Sequence, residues 1–101
     1  MKMIYCTCNV SVVEQLTELL EKNKIRDYQI LDQVIAKNKK GQSRFNTPIW
    51  PGFNSSVLMQ VNEEEKVVQL LQTIKEYNKQ VINDDELITV CTWKLEDYFY
   101  D

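Results

Sequence analysis

The sequence predicts an α+β fold in which a four-stranded antiparallel sheet carries two helices on one face. Two segments have apolar residues at helical spacing, and four short segments are rich in β-branched, aromatic and small apolar residues. Their order along the chain is β-α-β-β-α-β. Because each half repeats a strand–helix–strand unit within 101 residues, this order indicates a ferredoxin-like sandwich, formed as one domain over residues 1–101.

The first half supplies a strand, a helix and a second strand. Residues 1–8, MKMIYCTC, predict the first strand. Ser11 followed three residues later by Glu14 predicts a capping box at a helix start. The apolar stripe of that helix is Val12, Leu16, Leu19 and Leu20. Residues 27–36, DYQILDQVIA, predict the second strand.

The second half repeats this order after a connection over residues 37–54. Residues 56–61, SVLMQV, predict the third strand. Asn62 with Glu65 at the third following position marks a second helix start, where acidic residues suit the positive end of the helix dipole. The apolar stripe of this helix is Val67, Leu70, Leu71, Ile74 and Tyr77. Residues 86–95, ELITVCTWKL, predict the last strand.

The predicted strands are apolar on both faces, whereas the two helices can cover only one face. In the first strand, Ile4, Cys6 and Cys8 point one way. Met3 and Tyr5 point the other way, and the second and last strands also lack a clean polar face. We therefore expect a homo-oligomer in which sheet packs against sheet.

Composition excludes several function classes. The chain has no apolar run of 18 residues and no charged-then-apolar leader, so we expect neither a membrane span nor a signal peptide. Three cysteines cannot all pair internally, which favours a reducing compartment. A net charge of −3 argues against nucleic-acid binding. With no histidine and no recognisable nucleophile–base pair, the sequence predicts no enzyme and no cofactor.

The connection over residues 37–54 is long for a small domain, and such loops are usually functional or disordered. It contains both glycines and both prolines of the chain. Pro48 and Pro51 fix φ on either side of Trp50, while Gly52 permits a turn that a side chain would block. A restrained aromatic residue suits docking into a partner's groove or sealing a subunit interface. The alternative is a tolerated flexible insertion, although disordered segments are poor in aromatic residues.

The same connection begins with four cations and no acid, in KNKKGQSR over residues 37–44. Such a run is either a solvated turn or a surface for an anionic ligand or an acidic partner. The residues that we expect to contact a partner or ligand are Lys37, Lys39, Lys40, Arg44, Phe45, Trp50 and Phe53.

Two clusters raise the question of a metal. Cys6 and Cys8 share a strand face about 6.5 to 7 Å apart, which is too splayed for an easy disulfide but within reach of a bridging soft metal. The competing interpretation is core packing, and a Cys-only site would require Cys91 to converge on them. NDDE, residues 83–86, lacks the spaced ligands of a calcium loop, so it predicts a polar connection. We therefore predict no metal ligands.

The order of elements and the helix starts resemble the PII-like family of small trimeric signalling proteins, which is related to the CutA family. SSVLMQVNEEEKVVQLLQTI, residues 55–74, resembles the third strand and acidic helix start of that family. ELITVCTWKLED, residues 86–97, is similar to its fourth strand. The resemblance implies a cytoplasmic trimer whose T-loop, here residues 37–54, touches a partner protein. Some members of the wider family accompany transporters.

The chain departs from PII proteins at their phosphate-holding turn between the second helix and the last strand. That turn is Gly-rich in PII proteins, whereas NKQVINDDEL, residues 78–87, has no glycine and three carboxylates. EDYFYD, residues 96–101, has no arginine where the family has basic residues. Because carboxylates repel a triphosphate, we expect ATP to bind weakly or not at all. We expect no copper binding of the CutA type, because the chain has no histidine to act as a ligand.

The residues and the resemblance together predict a non-enzymatic PII-like regulatory protein. Its 37–54 loop would contact a partner protein, and a membrane transporter is the partner that the resemblance suggests. The alternative is a sensor of a small ligand or metal ion. Such a sensor would bind an anion or a thiophilic ion in clefts between subunits or at the Cys6–Cys8 pair.

Overall fold

The computed structural model describes residues 1–34 and 54–99, and within these ranges the predicted α+β order is confirmed. Two 3-10 turns, Val10–Val12 and Asp84–Glu86, were not predicted. The strands and helices are β1 (Lys2–Asn9), α1 (Val13–Lys22), β2 (Gln29–Val34), β3 (Asn54–Val61), α2 (Glu64–Gln80) and β4 (Thr89–Lys94).

The four strands form one antiparallel sheet in the order β2-β3-β1-β4. β1 is paired on both sides: Cys6 lies opposite Val57 of β3 and Val90 of β4. β2 pairs only with β3, and its register shifts between Leu31 and Val34. This is the strand order of a ferredoxin-like sandwich, so the predicted fold class is confirmed.

The core lies between the sheet and the helices, on the face that carries Ile4, Cys6 and Cys8, all fully buried. The helical stripes fill it as the spacing predicted, with Leu16 of α1 and Leu70 of α2 at no exposure. The remaining core residues are Val12, Leu20, Ile25, Val57, Met59, Val61, Val67, Ile74 and Ile88. On the opposite face, hereafter the open face, Met3 and Tyr5 are only half-buried.

Both helix starts differ from the predicted caps. The side chain of Asn9, not Ser11, accepts a hydrogen bond, and its donor is the Ser11 N–H at 2.9 Å. Since this bond closes the 3-10 turn, α1 begins two residues after Ser11 and its own first residues have no side-chain cap. In α2 the N-cap position is held by Glu63, because the Asn62 side chain accepts a hydrogen bond from Gln60 instead.

The end of α1 holds a residue in the left-handed region. Lys24 has φ of 63°, and the Ile25 N–H reaches back to the Leu20 carbonyl at 2.9 Å. This is a C-terminal helix cap at which glycine is the usual residue, because a Cβ is disfavoured at positive φ. The Lys24 backbone carbonyl accepts a hydrogen bond from Lys66 Nζ at 3.3 Å. Because this bond does not use the Lys24 side chain, a substitution at Lys24 can keep it.

We therefore expect Lys24→Gly to raise the free energy of unfolding by about 0.5–1 kcal/mol, since relief of the positive φ exceeds the added freedom of the unfolded chain. Urea unfolding followed by circular dichroism measures the change. Glu18→Gly, in the exposed middle of α1, is the matched control and should cost about 1 kcal/mol. A destabilised Lys24→Gly variant would contradict the assignment of strain to this position.

Candidate functional site

The loop residues predicted to contact a partner lie outside the described residues. These are Lys37, Lys39, Lys40, Arg44, Phe45, Trp50 and Phe53. The structure does describe the strands on either side, β2 ending at Val34 and β3 beginning at Asn54. Asn54, which the sequence assigned to the loop, is a strand residue paired with Asn9 and Val34.

A buried polar cluster holds the start of β3, and we call Thr7, Asn54, Ser55 and Ser56 the loop root. The Asn54 side-chain amide donates to Thr7 Oγ1 at 2.7 Å, and that hydroxyl donates to the Ser55 carbonyl at 3.2 Å. Ser56 Oγ shares a hydrogen bond of 2.7 Å with the Tyr5 hydroxyl. Thr7 and Asn54 are buried, so the bonds through the Thr7 hydroxyl are shielded from water, whereas the Tyr5–Ser56 bond is partly buried. The chain therefore re-enters the sheet in a defined direction.

The connection between α2 and β4 is clamped by the last turns of α2. The Asn78 side chain donates to the Ile88 carbonyl and accepts from the Ile88 N–H, each at 2.9 Å. The Tyr77 hydroxyl donates to the Glu86 carbonyl at 3.2 Å. Burial, with smaller contributions from Glu86 and Cys8, raises the pKa of Tyr77. The predicted polar connection is confirmed, and it is ordered rather than loose.

This clamp fixes where the carboxylates of the connection lie. Asp85 is buried, whereas Asp84 and Glu86 are exposed. β4 then begins with Thr89, which lies opposite Thr7 of the loop root. The two exposed carboxylates therefore flank the same end of the sheet as the ends of the 37–54 loop.

A groove of about 640 Å³ lies at the other end of the sheet. It combines the exposed guanidinium of Arg26, the rings of Tyr28 and Tyr98, and the amides of Gln29 and Gln60. The other lining residues are Met3, Asp27, Leu58 and Met59. A cation, aromatic rings and amides with apolar walls suit a small planar or anionic molecule. Sequence reasoning missed this groove because only the strand order brings its residues together.

The three cysteines do not converge. Cys6 and Cys8 are buried among the core residues, whereas Cys91, opposite Tyr5, is exposed on the open face. Burial raises the pKa of the Cys6 thiol to about 12, and the nearby thiols of Cys8 and Cys91 add to the shift. In the described part of the chain, no group of three or more Cys, Asp or Glu side chains could hold a metal ion. The core interpretation of the Cys6–Cys8 pair is confirmed.

Comparison with solved structures assigns the fold to a class. The chain has the fold of PII-like signalling proteins. No protein-family model matches the sequence. No curated protein matches it either.

Two proteins illustrate the likeness. TTHA0516, a PII-like signalling protein of Thermus thermophilus, superposes with a TM-score of 0.67 at 17% identity, over 91% of this chain and 83% of its own. CPII, a nitrogen regulatory PII-like protein of Thiomonas intermedia, was solved with ADP, AMP and bicarbonate. It superposes with a TM-score of 0.66 at 16% identity, over 97% of this chain and 94% of its own. At these identities the likeness establishes the fold. Within residues 1–34 and 54–99, no helix is long and apolar enough to cross a membrane.

The burial of the cysteines predicts that one thiol reacts rapidly with a thiol-specific reagent and that two react slowly. In the dissociated single chain at about pH 8, an aromatic disulfide reagent should modify Cys91 within minutes, because the reagent can reach a thiol on the open face. Cys6 and Cys8 should react only on unfolding, since burial shields both from the reagent and keeps Cys6 protonated. Absorbance of the released thiolate gives the count, and Cys91→Ser should remove the fast phase. Two or more fast thiols in the folded protein would contradict the burial of the pair.

Proposed function

We propose that this chain is a non-enzymatic PII-like regulatory protein that acts as a cytoplasmic trimer and contacts a partner protein through the 37–54 loop. The observation that carries the proposal is the placement of this loop on a PII-like fold. It connects edge strand β2 to interior strand β3, and the loop root fixes the point at which it rejoins the sheet. A long loop held by a rigid scaffold is a typical recognition element.

The open face of the sheet supports the proposed assembly. Met3, Tyr5 and Leu58 are half-buried there, while Leu31 and Trp93 are about half exposed. Exposed apolar residues grouped on one sheet face indicate an interaction surface. The open faces of identical chains related by a rotation axis would cover one another, so no second protein would be needed.

The loop chemistry defines the kind of partner. Four cations over residues 37–44 would steer an acidic surface, and Trp50 between two prolines would anchor it. A transporter's cytosolic face is the partner class suggested by the resemblance to the wider family. A regulatory rather than enzymatic role is supported by the PII-like signalling proteins that share the fold and by a chain without histidine.

A second candidate function, sensing of a small anionic ligand, is favoured by the groove around Arg26. CPII was solved with ADP, AMP and bicarbonate, which are all anions. The groove offers a guanidinium for charge and two tyrosine rings for stacking against a planar group. Ligand binding in the groove and partner contact through the loop would then be two functions of one regulator.

Trp50→Ala tests the first function. We expect it to weaken binding to the partner by about 2 kcal/mol or more while leaving the melting temperature unchanged, because an interface anchor packs only in the complex. The partner is first isolated by copurification with the tagged chain, and binding is then measured by calorimetry. Trp93→Ala, on the open face, is the matched control and should weaken assembly instead. A sharply lower melting temperature for Trp50→Ala would make Trp50 an internal seal and contradict the anchor.

Adenine nucleotides test the second function. We expect AMP to bind more tightly than ATP with Mg²⁺, because the carboxylate of Asp27, which lines the same groove, repels a longer phosphate chain. Arg26→Gln should weaken AMP about tenfold through loss of a charged hydrogen bond. Lys22→Gln, which removes an exposed cation elsewhere, should not. Calorimetric titration measures each constant. Micromolar ATP binding, or AMP binding that ignores Arg26→Gln, would contradict this assignment.

A further inference from the structure

We propose that the segment after β4, residues 95–99, is a strap that closes over the Arg26 groove when the groove is occupied, and that Tyr98 is the strap residue that contacts the ligand. The inference rests on the second candidate function, ligand binding in this groove, and adds a means of regulation to it. The position of the strap would then report whether the groove is occupied.

The strap leaves the sheet beside β4 and crosses it. The Leu95 N–H donates to the Met1 carbonyl at 3.2 Å, so this residue still lies next to the start of β1. Three residues later, Tyr98 lines the groove together with residues of β3 and β2. β3 lies on the other side of β1 from β4, about 10 Å away, and three extended residues also span about 10 Å. The strap therefore runs across the strands rather than along them.

The floor of the groove belongs to the open face of the sheet. Met3 lies opposite Gln60, and both side chains point to this face. Leu58 lies opposite Gln29, so this second pair shares the face. Tyr98 is the groove-lining residue that the strap adds to this floor.

The floor and the strap differ in how firmly they are held. The floor residues lie on β1, β2 and β3, whose backbone groups are paired within the sheet. Tyr98 lies outside any helix or strand and is 50% exposed, and the next residue, Phe99, is 75% exposed. Glu96 and Asp97 are exposed as well. A segment with few buried contacts opens at a low cost in free energy, whereas paired strands resist opening. The strap can therefore move while the floor stays in place.

A bound ligand would supply the contact that holds the strap closed. Half of the Tyr98 side chain is exposed when the groove is empty. A planar group in the groove would lie against this ring and against the ring of Tyr28, and aromatic stacking of this kind is favourable. The ligand would thus bind the closed strap more tightly than the open strap, and this difference in affinity shifts the strap towards the closed position.

A permanent cover for the open face is the competing interpretation of the strap. In that case the aromatic residues of the strap would pack against the sheet whether or not the groove is occupied. A cover of this kind buries its aromatic rings, since their apolar area is what stabilises it. The exposure of Tyr98 and Phe99 favours a segment that closes on a ligand.

Proteolysis of the strap tests its movement. In the full chain, AMP at ten times its dissociation constant should slow chymotrypsin cleavage after Tyr98 or Phe99 about tenfold, because the protease cleaves the open strap and AMP holds it closed. Mass spectrometry of the remaining chain separates these cleavages from any others. Arg26→Gln at the same concentration of AMP should lose most of this protection.

Substitution of Tyr98 tests its contact with the ligand. Tyr98→Ala should weaken AMP binding about tenfold in calorimetric titration, whereas Tyr98→Phe, which keeps the ring, should bind as the wild type does. Phe99→Ala is the matched control, because it removes the neighbouring exposed ring, which does not line the groove. It should leave AMP binding unchanged. Circular dichroism should be the same for all three variants, since both residues lie outside the core cluster.

The outcomes separate this inference from the function on which it rests. AMP binding that depends on Arg26 but neither slows cleavage nor weakens in Tyr98→Ala would overturn the strap and leave ligand sensing in the groove standing. AMP binding that weakens in Tyr98→Ala without slowing cleavage would make Tyr98 a fixed wall and would also overturn the strap. A wild-type chain that binds no AMP would overturn both the second candidate function and the strap. Partner binding measured with Trp50→Ala is independent of these results.

Discussion

Two helices can cover only one face of a four-stranded sheet, and the rest of this structure depends on that limit. β1 and β3, which lie inside the sheet, direct Ile4, Cys6, Val57 and Met59 into an enclosed core. Their alternate residues must point to the open face. Because Met3, Tyr5 and Leu58 among them are apolar and only half-buried, one chain leaves part of the open face in contact with water.

Polar and apolar residues are separated along the sheet as well as across it. At the end that bears the 37–54 loop, the loop root uses hydroxyls and an amide where packing alone would use aliphatic groups. These bonds are directional, so they fix the angle at which β3 begins, whereas aliphatic packing would tolerate several angles. The Asn78 clamp does the same for the start of β4. Both segments that connect into β3 and β4 are thus held by specific hydrogen bonds at one end of the sheet.

Periodicity was sufficient to predict the fold, because burial in a two-layer sandwich follows the helical and strand repeats closely. Local competition was harder to predict: Asn9 and Ser11 are both good caps, and only the geometry at the end of β1 selects Asn9. The face of Cys91 depended on register, since a shift by one residue would have placed it with Cys6. The Arg26 groove was beyond sequence reasoning, because Met3, Gln60 and Tyr98 become neighbours only through the strand order.

The charge distribution follows from the same strand order and restricts what each end of the sheet can bind. Exposed Asp84 and Glu86 flank the loop end, where an approaching anion would meet like charge. Arg26 lies at the opposite end, beside tyrosine rings and amides. A single chain therefore presents the Arg26 groove and an acidic end separated by the length of β1, eight residues or about 26 Å. The described strands that flank residues 37–54, β2 and β3, end and begin at this acidic end, so a molecule that approaches the sheet there meets Asp84 and Glu86.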